Sequence, residues 1–187
     1  MGLPSVDAPR LCLELPAPHE APAVVDYFQR NRAHLERWEP TRPPGFYETP
    51  FWHERLAVSR REAREGRSLR LFLRPKDDPG RVVGSVNLSE VHRGCFLSAF
   101  LGYSLDRALE GQGFMHEALG AALPVGFAHL QLHRIAANYQ PSNERSGRLL
   151  RRLGFVVEGY ARDFLFIDGA WRDHVLTALV KPGIEPP

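Results

Sequence analysis

The chain has 187 residues, 43% of them hydrophobic, with 24 Lys and Arg against 22 Asp and Glu. That length buries a core without staples and predicts one domain, and the ordinary charged and apolar fractions exclude a disordered or fibrous chain. A formal net charge of +2 points to neither a nucleic-acid nor a membrane partner.

Lys76 and Lys181 are the only lysines, so nearly all the positive charge is arginine. Cys12 and Cys95 are far apart and lack CxxC spacing, which favours two packed, reduced thiols over a disulfide or a zinc site. No apolar run approaches ~18 residues, and no basic-then-apolar leader opens the chain. A cytoplasmic protein is expected.

Leu11, Leu13 and Leu15 alternate with Cys12 and Glu14 in a first, half-buried strand. From about His19 to Trp38, Ala23, Tyr27, Phe28, Asn31 and Leu35 recur at helical spacing and predict an amphipathic helix. The Pro-rich link EPTRPPGFYETP follows. Its aromatics Trp38, Phe46 and Tyr47 fit a substrate groove or packing under a loop. A second helix runs from Pro50 to Gly66. Leu69–Arg74 and Arg81–Val91 form a hairpin across KDDPG, and Phe96–Ser104 completes a meander. A helix over 114–130, a strand His133–Tyr139, and a helix from Ser142 or Asn143 to Gly154 come next. A last hairpin pairs Phe155–Ile167 with Trp171–Val180 across Asp168-Gly169, the pair a primed turn requires. Residues 10–181 are expected to form the domain, with flexible tails at 1–9 and 182–187. The element order predicts an α/β (α+β) protein with a sheet of mixed direction and helices on its faces.

Two stretches carry candidate chemistry. In Glu110-Gly111-Gln112-Gly113-Phe114-Met115, two near-adjacent glycines precede a helix, so successive N–H groups can form an anion nest at its positive end. A plain tight turn is the alternative. No Gly-Lys-Ser/Thr follows, which excludes a P-loop. His116 replaces the third glycine of a dinucleotide fingerprint, and no acid lies between Glu117 and Glu144. The second stretch, Asn138 to Ser146, ends a strand and caps a helix; alone it needs no function. Arg145, Arg148, Arg151 and Arg152 make one side of that helix basic, by default a solvated face, with a nucleotide phosphate contact as the alternative. Gly120 and Gly126 are expected to permit close helix–sheet contact.

Taken together, the blocks LGYSLD, GQGFMHEAL, HRIAANYQPSNERSGRLLRRLGF, EGYARDFLFIDG and WRDHVLTAL resemble the GNAT superfamily of N-acetyltransferases, and within it the RimJ-type ribosomal-protein N-terminal alanine acetyltransferases. Glu110 and Met115 stand where the superfamily signature has Gln/Arg and Gly/Ala, with Gly113 as its central glycine. The resemblance implies a mostly antiparallel central sheet and acetyl-CoA as co-substrate, without a metal. It also implies direct attack by a primary amine through a tetrahedral intermediate. The acceptor would be a protein N-terminus, such as that of a ribosomal protein. A small amine (polyamine, amino sugar or antibiotic) and a non-catalytic acyl-CoA-binding module are the alternatives. By the same resemblance, the backbone of Leu101 and Tyr103 would hold pantetheine, and Gly111, Gln112, Gly113, Phe114 and Met115 the pyrophosphate. Asn138 and Asn143 would border the cofactor arm, and Ser146 would protonate the departing thiolate. Glu90, Asp163, Asp173 and His174 are candidate bases, with a water relay as an equal alternative.

An α-amine titrates near 8 and a thiol near 8.5, against ~10.4 for lysine. Most of the rate is therefore expected from juxtaposition and oxyanion stabilisation, with acid/base help of ~10²–10⁴.

Overall fold

The computed structural model describes residues 2–181 and 183. Its core is an eight-stranded sheet, formed by β1 (Val6–Asp7), β2 (Leu11–Glu14), β3 (Leu69–Pro75), β4 (Gly84–His92), β5 (Ser98–Leu105), β6 (Arg134–Tyr139), β7 (Val156–Ile167) and β8 (Ala170–Val180). The spatial order is β1-β2-β3-β4-β5-β6-β8-β7. Every neighbouring pair is antiparallel except β5–β6. The expected mixed, mostly antiparallel architecture is therefore present.

Cross-strand register assigns the two faces. Phe72 of β3 opposes Ser85 of β4, which opposes Ser104 of β5. Their shared face is covered by α1 (Ala21–Arg30), α2 (Arg32–Leu35) and α3 (Thr49–Arg64). Phe28 stacks on Trp52 at 4.9 Å, and both meet Phe72 edge-on. Tyr27 donates to Ser104 Oγ at 2.9 Å. The other face carries Val86, Leu88, Leu101 and Tyr103 and packs under α4 (Phe114–Leu130) and α5 (Glu144–Arg152). A Cβ on Gly126 would lie 2.3 Å from Leu88 Cδ1, so α4 approaches the sheet there through its missing side chain. Gly120 is different: it is exposed and a Cβ would meet nothing within 4 Å. The close contact expected at both glycines holds for Gly126 alone.

Other expectations also need correction. Residues 1–9 are not wholly a loose tail, because Val6 pairs with Leu13 and both Val6 and Ala8 are buried. The helix expected over 19–38 is broken at Asn31 (φ −102°, ψ 5°). Asn31 is buried; its amide donates to the Tyr27 carbonyl and its Oδ1 accepts from the Arg107 N–H at 3.1 Å. That tie to the segment after β5 turns the chain into α2. Cys95 is exposed instead of packed, and both thiols are free. The Asp168-Gly169 turn matches its expectation, with φ of +50° and +70° as a type I′ turn requires. Of the tail expected at 182–187, residues 182 and 184–187 lie outside the described residues.

Candidate active site

The site begins where two parallel strands part. β5 and β6 pair from Ser98–Arg134 to Phe100–Ala136. Beyond that, Leu101–Leu105 bonds to β4 and Ala137–Tyr139 to β8. The inner edges of both strands are left facing a gap, part of a cleft of about 1360 Å³.

One end of the cleft is the glycine turn. After β5, Asp106 accepts from the Ala108 N–H at 3.1 Å and pairs with Arg30 and Arg81 at 3.0 and 3.1 Å. Burial works against its charge, but the Ala108 N–H and the Arg30 guanidinium outweigh it and hold the carboxyl below its ordinary value. Gly111 and Gly113 then adopt φ of +76° and +84°, a region that excludes most side chains. Gly113 caps α4, whose first-turn amides have no partner within the helix.

The turn is braced from outside by Arg10. Its backbone N–H and Nε donate to Glu117 at 2.6 and 2.8 Å, and its guanidinium donates to the Gln112 carbonyl at 3.3 Å. The same group lies 3.8 Å over the Phe114 ring. Arg10 is a positioning residue that sequence reading missed; an arginine just before a strand carries no signal for a helix start 100 residues away.

The other wall is α5. Asn143 accepts from the Ser146 N–H at 3.2 Å and so caps the helix. Ser146 Oγ lies 2.6 Å from the Tyr103 hydroxyl. Burial pushes that phenol up to about 12, against the lowering effect of the Ser146 bond, so it keeps its proton at neutral pH. A Cβ on Gly147 would lie 2.8 Å from the Tyr139 ring, and this absence of a side chain brings α5 onto β6.

Leu101, Tyr103, Gly111 and Gly113 all line the cleft, as do Phe114, Met115, Asn138, Asn143 and Ser146. Gln112 is turned away, its side chain donating to the Ala108 carbonyl at 2.7 Å. Trp38 lines the cleft, but Phe46 and Tyr47 are not among its lining residues. Phe46 is buried against Phe28 and Trp52, and the Trp52 indole donates to its carbonyl. Tyr47 packs under Arg32 instead. The aromatic core claims Phe46, and Tyr47 lies half-buried at its edge, against Phe46.

The end away from the glycine turn is polar. Glu39 pairs with Arg42; burial pushes the Glu39 carboxyl up despite that partner. Arg70, Asn87, Glu90 and His174 also line the cleft. Of the four candidate bases, Glu90 and His174 reach the cleft, and Asp163 and Asp173 are not among its lining residues. Asp173 is occupied by the Tyr160 hydroxyl and the Asp163 N–H. His174 Nδ1 faces the Arg172 carbonyl at 2.9 Å; donating there leaves Nε2 as the acceptor. Arg70 had a readable signal, since it shares a face with Phe72 in the alternating run LRLFLR. Glu39, in an irregular link, had none.

Among the described residues, no group of three or more His, Cys, Asp or Glu side chains could hold a metal ion, and no helix is long and apolar enough to cross a membrane. The donors that line the cleft are amides, hydroxyls and guanidinium groups, a set suited to a phosphorylated, amide-bearing ligand such as CoA.

Residues 10–156 match the acetyltransferase (GNAT) domain family. The chain is 42% identical to a ribosomal protein uS5-alanine N-acetyltransferase of Escherichia coli (strain K12), over 95% of this chain and 91% of that protein. Among solved structures, a ribosomal-protein-S5-alanine acetyltransferase from Vibrio fischeri superposes with a TM-score of 0.93 at 34% identity, covering 98% of this chain and all of that one. RimJ of Mycobacterium smegmatis, in complex with CoA-disulfide, gives 0.83 at 31% identity, covering 97% and 90%. A parted pair of parallel strands, a glycine turn at the start of α4 and these likenesses agree: the chain belongs to the GNAT family of acetyltransferases.

Proposed function

We propose that the protein transfers acetyl from acetyl-CoA to the N-terminal α-amine of a protein, of the ribosomal-protein-alanine type. The observation that carries this reading is the 42% identity to the uS5-alanine enzyme across nearly the whole of both chains. A cytoplasmic location follows from that acceptor.

Bound acetyl-CoA supplies an activated acetyl thioester. The amides of Gly111 and of 113–115 would hold its pyrophosphate, reinforced by the positive end of α4. A Cβ at Gly111 would meet nothing within 4 Å of the described residues, so the positive φ, and not crowding, demands glycine there. The free backbone groups of Leu101 and Tyr103 would hold the pantetheine arm. Asn138 borders the same gap, and Asn143 acts through α5, which it caps.

Ser146 holds a proton at Oγ for the leaving sulfur. With Tyr103 donating its hydroxyl to Ser146 Oγ, the serine hydrogen is free to turn into the cleft. His174 Nε2 or Glu90, which line the cleft, would take the amine's proton, directly or through water. An α-amine needs little such help near neutral pH, and most of the acceleration comes from holding amine and thioester together.

A polyamine acceptor is disfavoured by charge. Glu39 is paired with Arg42, and Arg37 and Arg70, which line the same cleft as Glu90, are in no ion pair among the described residues. The test is CoA release with N-terminal peptides beginning Ala or Ser, compared with small amines. Release with peptides supports the reading; activity with small amines and with no peptide overturns it.

A further inference from the structure

Arg70 is a charged group that the proposed reaction leaves without a task. It lies on β3 in register with Asn87 of β4, which is in register with Gly102 of β5. Its side chain lines the cleft, and among the described residues its Nε is buried with no hydrogen-bond partner. Its guanidinium sits 5.9 Å from the Trp52 ring. The nearby acids are engaged: Glu39 pairs with Arg42, and Glu62 lies 3.5 Å from Arg55 and accepts from Ser68. Burial, with Arg55 and Arg42 adding to it, pushes Arg70 down to about 10, so it remains charged at neutral pH. With Nε enclosed, and with no hydrogen bond or ion pair to its terminal nitrogens among the described residues, this guanidinium among like-charged neighbours calls for an oxyanion presented from the cleft to those terminal nitrogens. The planar fork suits a carboxylate.

We infer that Arg70 determines acceptor specificity by binding a carboxylate carried by the amine substrate, two strands away from the reacting nitrogen. At ~4.8 Å per strand, Arg70 and Gly102 are ~10 Å apart across the sheet. An extended peptide advances ~3.3–3.6 Å per residue. Because Leu101 and Tyr103 would hold the arm that carries the thioester, the inference sets the α-amine at the strand gap beside Gly102, and the group that reaches Arg70 is then an Asp or Glu side chain at the third or fourth residue. This assignment rests on the proposed N-terminal acetyltransferase reading and narrows it to acidic N-termini.

The test compares amidated peptides that begin with Ala and carry Glu or Gln at positions three and four. The full-length enzyme is used, with Arg70→Gln and Arg70→Lys variants, and acetyl-CoA affinity and melting temperature are measured alongside. The expected result is a preference for Glu of about 10–100-fold in kcat/KM, carried mainly by KM, the range a charge-assisted hydrogen bond in a dry site supports. Arg70→Gln brings that ratio close to one with acetyl-CoA binding and melting retained, and Arg70→Lys restores part of it. Wild-type indifference to Glu or Gln, or a ratio that survives in a folded Arg70→Gln, overturns the inference. Should no peptide be acetylated, the acceptor reading has failed, and the same contrast is run with 6-aminohexanoate against its amide. A carboxylate preference lost in Arg70→Gln then supports Arg70, and no preference overturns it.

Discussion

The Tyr103 hydroxyl lies 2.6 Å from Ser146 Oγ and joins β5 to the first turn of α5 across the parted strands. Ser146→Ala removes the proposed proton donor and leaves the Tyr103 hydroxyl partnerless. Turnover should fall about 10–100-fold, at or below the bottom of the usual range of general-acid effects, because a thiol near 8.5 already leaves readily as thiolate. Acetyl-CoA affinity should hold. If Tyr103 acts by orienting the serine hydroxyl, Tyr103→Phe lowers kcat less than Ser146→Ala, and the double variant adds little to Ser146→Ala alone. Fully additive losses in single-turnover kinetics would separate the two residues.

Three glycines of the glycine turn and α4 should respond to alanine in three different ways. Gly113→Ala forces a Cβ into φ +84°, costing about 1–3 kcal/mol of strain and distorting the anion nest. Acetyl-CoA affinity should drop at least several-fold by calorimetry. Gly126→Ala drives a methyl to 2.3 Å from Leu88 Cδ1; overpacking of about 1–3 kcal/mol should lower the melting temperature. Gly120→Ala meets nothing within 4 Å and should stabilise α4 by about 0.5–1 kcal/mol.

The contrast among these glycines shows how far the sequence could be read. Gly111 and Gly113 announced themselves by spacing before an apolar helix, and α4 was legible to its first residue because Phe114, Ala118, Leu119 and Ala122 keep period. Asp168-Gly169 named its own turn. What stayed hidden depends on contacts distant in sequence. Asn31 looks like any polar helix residue until Arg107, 76 positions away, donates to it. Arg10 braces a helix start that the sheet alone brings near. Phe46 and Tyr47 were ambiguous for the same reason, since an aromatic in an irregular link belongs to core or groove according to what packs above it. The glycine turn and the capped α5, built on local signals, were therefore readable, and the part of the cleft lined by Glu39 and Arg70, assembled from separate elements, was not.

Asp106 and Glu117 predict the direction of acid sensitivity. For both, burial opposes ionisation, yet hydrogen bonds from Ala108 and Arg30 in one case and from Arg10 in the other hold the folded carboxyl below its ordinary value. A group depressed by folding contributes stability that is fully present above its ordinary value, 3.8 for Asp106 and 4.5 for Glu117. That contribution is lost as pH falls through the lowered folded value. Stability should therefore drop as the medium is acidified below about pH 4. Asp106→Asn keeps an acceptor for the Ala108 N–H but surrenders the charge that engages Arg30 and Arg81. It should melt lower than wild type at neutral pH and show a shallower decline over the acid window, measured as melting temperature against pH.

Glu110 offers a final test of the anion nest, because it puts a carboxylate at the mouth of a site that would hold a diphosphate. Arg145 on α5 pairs with Glu110, and His34 Nε2 lies 3.3 Å from its other oxygen. Removing the carboxylate and removing its main partner should therefore act in opposite directions. Glu110→Gln deletes a negative charge and frees Arg145 to face the ligand; acetyl-CoA affinity should rise by about 0.3–1 kcal/mol, roughly two- to five-fold. Arg145→Ala exposes the Glu110 charge to the diphosphate and should weaken binding by a similar factor. Both side chains are partly exposed, so salt should compress the difference. At 1 M ionic strength, where the screening length is ~3 Å, the two variants should approach wild type. Equal shifts of the same sign, or a gap indifferent to salt, would show that Glu110 acts by shaping the turn and not through its charge.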